Sequence, residues 1–219
     1  MLTSQWYFKF LAGILVLAFF GQAHAEEEAP QTEERYVQIS RTDFTGTERA
    51  INFGLMYAGQ WIVYGITQEE TIREHGSFSN WITNMWHPEY DKDTYDYNIF
   101  KHAISGQLYY QWYRSRGYTE QRAFLWSFMS SLAFEFTIET VTERPSFQDM
   151  YLTPVLGSVL GMGMERVSLY FHSKKSWPYR ALGFLFNPFS LLPDSQYKFV
   201  AVPIAKKDFA GLQVSWSFQ

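Results

Sequence analysis

The sequence contains no cysteine, which excludes a disulfide framework and any metal site built from thiolates. It also lacks a basic patch, since 18 lysine and arginine residues face 22 acidic residues and the net charge is −4. Nucleic acid is therefore not an expected partner. The sequence signatures of serine hydrolases, zinc proteases and phosphate-binding loops are absent as well. These absences exclude several well-marked enzyme classes and leave only sites without a signature motif.

A short apolar segment stands at the N-terminus. Lys9 precedes an uncharged run over residues 10–23, and Ala23-His24-Ala25 has the small-x-small pattern of a signal peptidase site. Because the run is short for a membrane span, we interpret residues 1–25 as a secretory signal peptide, with an uncleaved anchor as the alternative. We expect the protein to be exported to the periplasm or outer membrane of a Gram-negative bacterium.

Aromatic residues are abundant, at 20% of the chain, and they include 8 Trp and 15 Tyr. Trp and Tyr suit surfaces that are apolar at one end and wet at the other, such as membrane interfaces. Together with the expected export, this composition predicts a cell-envelope protein whose partner is a membrane surface or an envelope lipid. A protein partner is also compatible with such a surface.

The order of helix and strand signals predicts a mainly α fold, a helical bundle with a small C-terminal β-hairpin. After an acidic lead-in with a possible short strand (residues 26–44), a helical domain is expected over 45–195. Residues 196–219 alternate apolar and polar side chains, as strands do. The uncharged stretch 50–68 is long enough to span a bilayer, but its polar residues and glycines favour a buried or interfacial helix.

Three central helices are predicted over about 97–116, 119–142 and 153–172. Thr153 is the expected N-cap of the third, with Pro154 at its first position. Gly157 and Gly161 are one turn apart on that helix and predict the close approach of another helix. Ser146 is expected to cap the turn that precedes it.

The second central helix carries a polar column on an otherwise apolar surface, formed by Ser127, Ser131, Glu135 and Glu139 at intervals of four residues. Buried carboxylates are costly unless a cation, a metal ion or a shared proton compensates them. We expect one polar pocket to unite His102, Glu135, Glu139, Asp149 and Glu165. The residue types suit a carboxylate–histidine metal site of unspecified metal, general acid–base catalysis, or a structural polar core.

Candidate site residues follow from this pocket and from the acidic loop before it. The candidate catalytic residues are His102, Glu135, Glu139 and Asp149. The candidate binding residues are Asp91, Asp93, Arg114, Ser146 and Glu165. The loop of Asp91 and Asp93 lacks the glycine and glutamate of a calcium-binding EF-hand, so we interpret it as an acidic surface loop rather than a calcium site.

A combined pattern runs through residues 87–165. It consists of Asp91, Asp93, Asn98, His102, Gly106, Tyr109, Tyr110, Arg114, Gly117, Glu135, Pro145, Ser146, Asp149, Thr153, Pro154, Gly157 and Gly161. On these residues the chain resembles an uncharacterised bacterial envelope family, a domain of unknown function (DUF3943). Ala103 stands where the family has Pro, and Met162 where it has an acid, which leaves the role of Glu165 open. The resemblance implies an exported, helical, membrane-associated protein and no established reaction.

Two functions follow as hypotheses. The first is an envelope module that binds lipid or a partner through its aromatic surface. The alternative is a hydrolase of envelope lipid or glycan in which His102 is the base, Glu135 and Glu139 bind metal or orient His102, and Asp149 positions substrate. An enzyme requires His102 and Glu135 within mutual reach at an open cleft. A structural core would instead seal them among internal partners.

Overall fold

The computed structural model describes residues 32–90, 94–174 and 176–203. The chain divides into two units, and the larger one, Glu34–Val202 with Val214–Gln219, contains all of the helices described below. The smaller unit, Met1–Glu33 with Pro203–Gln213, lies almost entirely outside the described residues. The expected signal peptide and the second strand of the expected C-terminal hairpin therefore also lie outside them.

The described residues are mainly helical, and the predicted fold class is confirmed. The elements are β1 (Thr32–Gln38), α1 (Gly46–Thr67), α2 (Glu69–His75), α3 (Phe78–Asn84), α4 (Tyr95–Ser115), α5 (Glu120–Ala133), α6 (Asp149–His172), α7 (Trp177–Phe186) and β2 (Tyr197–Pro203). The two strands form an antiparallel sheet, so the partner of the C-terminal strand comes from near the N-terminus.

Helix α1 begins at the capping box that the sequence predicts. The backbone N–H of Glu48 donates to Thr45 Oγ1 at 3.1 Å, and the backbone N–H of Thr45 donates to Glu48 Oε2 at 2.8 Å. This reciprocal pair satisfies two donors that a helix start would otherwise leave unbonded. In the part of the chain that the structure describes, no helix has the length and hydropathy needed to cross a membrane.

Helix α1 turns its polar face inward and its aliphatic face outward. The inward face consists of Asn52, Met56, Gln60 and Tyr64. Ile62 and Ile66, on the outward face, are 62% and 73% exposed. Soluble amphipathic helices have the opposite arrangement. Polar and charged residues also outnumber hydrophobic ones among the described residues that are buried.

Helices α4 and α6 pack side by side, and residues of α4 in this interface contact the residue 51 positions later in the chain, on α6. His102 meets Thr153 and Arg114 meets Glu165 across this interface. Between these ends, Gly106 lies against Gly157, where an added Cβ would approach the Cα of Gly106 to 2.3 Å. The predicted close approach of another helix at the spaced glycines is thus observed, and it brings the two backbones into direct contact.

The third central helix begins earlier than its capping signals predict. Helix α6 starts at Asp149, whose backbone N–H donates to Ser146 Oγ at 3.3 Å, as expected for a capping serine. The expectation that Thr153 is the N-cap is therefore wrong, because the hydroxyl of Thr153 bonds His102 instead. Pro154 lies inside the helix, one turn beyond its start.

The second central helix is shorter than predicted and ends in irregular turns. Helix α5 stops at Ala133, a π-helical turn follows over Phe134–Ile138, and a 3-10 turn covers Glu139–Val141. Such wide turns are frequent at functional sites because they redirect side chains that a regular helix would stack in one column. The wide turn carries Glu135, and Glu139 follows directly after it.

Candidate active site

A polar cleft of about 410 Å³ opens beside the start of α4 and the loop before α6. It is lined by Asn80, Asn84, Glu89, Lys101, His102, Glu139, Thr142, Glu143, Arg144, Ser146 and Asp149. Three of the four candidate catalytic residues belong to this lining. The fourth, Glu135, is 1% exposed and lies behind them.

His102, Glu135 and Asp149 converge at the wall of this cleft. Each of the three buried side chains offers one ligand atom, and these atoms all lie within 4.8 Å of one another. Three elements bring them together, since His102 belongs to α4, Glu135 to the π-helical turn and Asp149 to the first turn of α6. The expected proximity of His102 and Glu135 is therefore present in the fold.

The ring of His102 is held at both nitrogens. Its Nδ1 shares a hydrogen bond of 2.8 Å with Thr153 Oγ1, and its Nε2 lies 3.3 Å from Asp149 Oδ1. A hydrogen bond at one ring nitrogen fixes the orientation of the imidazole and therefore the direction in which the other nitrogen points. Nε2 is thus the atom that His102 presents to the carboxylates.

Ser146 links the two carboxylates of the cluster. Its backbone N–H donates to Glu135 Oε2 at 3.0 Å, while its hydroxyl accepts from the backbone N–H of Asp149 at 3.3 Å. The loop that holds Ser146 is itself anchored by a short parallel bridge to Glu89. One serine therefore positions both acids, and this explains structurally why a serine occupies its position in the Pro-Ser-x-x-Asp segment.

Burial sets the protonation of the two glutamates. It raises the pKa of Glu135 well above its ordinary range, and the charge of Glu139 raises it further. The pKa of Glu139 is raised to about 7, because burial outweighs the nearby ammonium of Lys101, 3.9 Å away, and the hydrogen bond from Glu135. Both carboxyl groups therefore bind a proton more readily than an exposed glutamate does, and the hydrogen bond between them couples their titrations.

Two of the candidate binding residues belong to a different cluster. Glu165 accepts hydrogen bonds from Arg114 Nε at 2.9 Å and from the hydroxyl of Tyr197 at 2.8 Å. Neither Glu165 nor Arg114 lines the cleft, so the expectation that Glu165 joins His102 in one pocket is not met. The reason is the register of α4 against α6, which places Arg114 opposite Glu165 three turns away from His102.

The other candidate binding residues have different outcomes. Ser146 lies in the cleft. Asp91 and Asp93 lie outside the described residues. The roles proposed for the candidate residues stay predictions.

Sequence reasoning missed several residues of the cleft. Thr153 was interpreted as a cap, although a hydroxyl one turn inside a helix is equally able to bond a neighbouring helix. Lys101 stands directly before His102, and this adjacency was the available signal. Asn80 and Asn84 belong to α3, and no pattern in the sequence connects them with residues of α4 or α6.

Comparison with known families now adds one finding to this geometry. Residues 87–189 match the family model of the domain of unknown function DUF3943. The resemblance noted from the sequence is confirmed, and His102, Glu135, Glu139 and Asp149 all lie within the matched residues. The α3 residues that complete the cleft precede the residues that match this family model. No match was found among curated proteins or among solved structures.

Proposed function

We propose that this protein is a hydrolase that binds a divalent metal ion through His102, Glu135 and Asp149 and acts on the polar part of an envelope glycan or lipid. One observation supports this most directly. A histidine and two carboxylates place their ligand atoms within 4.8 Å of one another, and two of the three residues, His102 and Asp149, line an open polar cleft. A purely structural core would seal such groups among internal partners.

The donor set fits a metal of the zinc, manganese or iron class. Imidazole and carboxylate ligands suit these ions, and catalytic sites keep further positions for water or substrate. The hydrogen bond between Thr153 and Nδ1 of His102 matches the outer-shell contact that orients metal-binding histidines. A divalent cation would also offset the cost of burying Glu135 and Asp149, because it supplies the positive charge that these acids require.

The surrounding side chains suit a hydrolytic reaction. A bound metal ion supplies a water molecule that ionises near neutral pH. Glu139, with a pKa raised to about 7, is suited to accept and return a proton at that pH. Asn80, Asn84 and Arg144 bring amide and guanidinium N–H groups to the cleft, which suits hydroxyl-rich or phosphorylated groups better than an apolar chain.

Metal binding by the purified full chain tests this function. We expect stoichiometric binding of zinc or manganese, and a loss of at least about tenfold in affinity for both His102→Gln and Glu135→Gln. Glu89→Gln is the matched control, because Glu89 lines the same cleft outside the three-residue cluster. Equal affinities for Glu135→Gln and Glu89→Gln would overturn the metal assignment. Hydrolysis of envelope glycans or lipids that stops on chelation would establish the reaction class.

A membrane-contacting module is the second candidate, and the inverted polarity of α1 favours it. An aliphatic face that points outward for the length of a helix suits the interfacial region of a bilayer. Flotation with phospholipid vesicles tests this candidate. Ile62→Glu should release the protein, whereas Thr67→Glu at the exposed end of the same helix should not. Identical flotation of both variants would remove α1 as the contact.

Export to the periplasm or outer membrane is part of the same proposal. It is supported by the signal-peptide pattern of residues 1–25 and the cleavage pattern at Ala23-His24-Ala25. Sequencing the N-terminus of the protein recovered from the envelope fraction should give a chain that starts at Glu26. An intact N-terminus at Met1 would support the uncleaved anchor instead.

A further inference from the structure

A second concave site lies between the N-terminal half of α1 and helix α5. This groove has a volume of about 580 Å³, within the range of small-molecule sites. Its lining consists of Phe44, Arg49, Phe53, Tyr118, Arg122, Leu125, Trp126 and Met129. None of these residues lines the polar cleft, so the groove is a separate feature of the molecule.

Aromatic rings form the deep part of the groove, and aliphatic side chains form its outer wall. Phe44 and Tyr118 are buried and stacked with ring centroids 4.1 Å apart, and Phe53 lies 6.0 Å from Trp126. Leu125, in contrast, is 55% exposed, although it faces a groove that is apolar on its other sides. An apolar chain in the groove would cover this side chain, and each buried methylene would contribute about 0.8 kcal/mol.

Two guanidinium groups accompany this apolar surface. Arg122 is held in place by donation from Nη1 to the backbone oxygen of Thr42 at 2.9 Å. Glu48, which directly precedes Arg49 in the sequence, is already engaged by Arg41 at 3.0 Å and by its own capping box. Within the ranges that the structure describes, no carboxylate forms an ion pair with Arg49 or Arg122. The charge of the groove is therefore positive and uncompensated.

We propose that this groove binds an anionic amphiphile, with its acyl chain along Phe53, Trp126 and Met129 and its carboxylate or phosphate beside Arg49 and Arg122. The apolar channel would bury the acyl chain of such a ligand, and the two arginines would pair with its anionic group. A neutral apolar ligand would leave the cations unused, and a free anion would leave the channel uncovered. The site is independent of the metal cluster and of the reaction proposed for it.

Isothermal titration of the full chain with sodium palmitate, below its aggregation limit, tests the groove. Met129→Glu places a charge on the channel wall at a half-exposed position, so the fold should tolerate it. We expect this variant to bind palmitate at least about tenfold more weakly than wild type. Val159→Glu is the matched control, since Val159 is an exposed aliphatic residue of α6 outside the groove, and it should bind as wild type does. Equal losses in the two variants would overturn the proposal.

A second set of variants tests whether the two arginines bind the anionic group of the ligand. The double variant Arg49→Gln with Arg122→Gln should lose about tenfold in palmitate affinity and little in affinity for hexadecanol, the uncharged analogue. Arg73→Gln, an exposed arginine of α2, should change neither. If hexadecanol binds wild type as tightly as palmitate does, the anion-binding part of the proposal is wrong.

Binding to phospholipid vesicles distinguishes a membrane lipid from a free fatty acid as the ligand. Binding to phosphatidylglycerol vesicles but not to phosphatidylcholine vesicles, abolished by the double arginine variant, would identify a membrane lipid as the ligand. Palmitate binding without vesicle binding would identify a free fatty acid. Binding of neither palmitate nor anionic vesicles would overturn the proposal, and metal binding at the other site would be unaffected in that case.

Discussion

The two ends of the α4–α6 interface each bury carboxylates, and they differ in how closely a cationic side chain contacts those carboxylates. At one end, Arg114 places its Nε 2.9 Å and 3.0 Å from the two oxygens of Glu165. At the other end, Glu135 and Asp149 lie beside His102, and the ammonium of Lys101 lies 3.9 Å from the carboxylate of Glu139. The ends are twelve residues, or about 18 Å, apart along each helix.

This difference separates a structural cluster from a functional candidate. Glu165 accepts a further hydrogen bond from Tyr197, and Arg114 Nη1 donates to the backbone oxygen of Tyr118 at 2.7 Å. That end is therefore satisfied from within and ties α4, α6 and β2 together. At the His102 end, burial raises the pKa of both glutamates, the ammonium of Lys101 lies 3.9 Å from Glu139, and the cluster borders a cleft. Its compensation can come from outside, as a metal site requires.

The two buried histidines of α4 and α6 differ in the same way. His172 packs between Tyr36 and Phe184, with ring centroids 4.3 Å and 4.4 Å away, and its pKa is lowered to about 4 by burial first and by the charge of Arg180 second. It is therefore neutral at physiological pH and serves as a packed aromatic residue. His102 faces Asp149 at the cleft and is the histidine with a partner suited to chemistry.

The largest expected effect on stability comes from removing the ion pair between Arg114 and Glu165. Arg114→Met leaves the charge of Glu165 buried beside Tyr197, and we expect a loss of about 3–5 kcal/mol in the free energy of unfolding, measured by urea denaturation. The double variant Arg114→Met with Glu165→Met should recover most of this loss, because no unpaired charge is then buried. A loss below about 1 kcal/mol in the single variant would show that this pair is not a structural anchor.

The glutamates at the His102 end should make the stability of the protein depend on pH. The pKa of Glu139 is raised from its ordinary value of 4.5 to about 7 in the folded chain. The folded state therefore holds more protons than the unfolded state between these values, and stability is lost as pH rises from 4.5 through 7. In chelator-treated protein we expect Glu139 to contribute a loss of roughly 3 kcal/mol in the free energy of unfolding across this window.

Glu139→Gln tests the origin of that pH dependence. The variant cannot ionise at this position, so the part of the change in urea midpoint between pH 4.5 and pH 7 that comes from Glu139 should disappear, while the part that comes from Glu135 remains. The charged groups around the pair, Lys101, Glu143 and Asp149, are unchanged in the variant and serve as an internal control. A pH profile equal to that of wild type would mean that Glu139 is not the titrating group.

The smallest expected effect concerns the glycine contact that holds the two ends in register. An added Cβ at Gly157 would meet the Cα of Gly106, so Gly157→Ala should cost about 1–3 kcal/mol in the free energy of unfolding. Gly163→Ala is the matched control on the same helix, because no atom lies within 4 Å of its added Cβ. The control should be stabilised by up to about 1 kcal/mol, since alanine favours helix. Similar results for both variants would contradict direct backbone contact at Gly157.

Local signals accounted for most of the helices. The capping box at Thr45 and Glu48 and the glycine after α4 are short-range features whose energies depend on a few neighbouring residues. Gly117 has a φ of 94°, the left-handed conformation that a glycine adopts most easily after a helix. The start of α6 was misplaced because Thr153 has the chemistry of a cap and the structure uses it for another contact.

The sequence by itself determined that polar and acidic residues stand on apolar helices and that they require compensation. Which residue compensates which was decided only by the tertiary structure. The register of 51 residues between α4 and α6 pairs Arg114 with Glu165 and brings His102 to Asp149, and no local pattern encodes a register between helices that far apart in the chain. The physical reason is that helix spacing specifies a face, whereas the partner of that face depends on the packing of two backbones at Gly106 and Gly157.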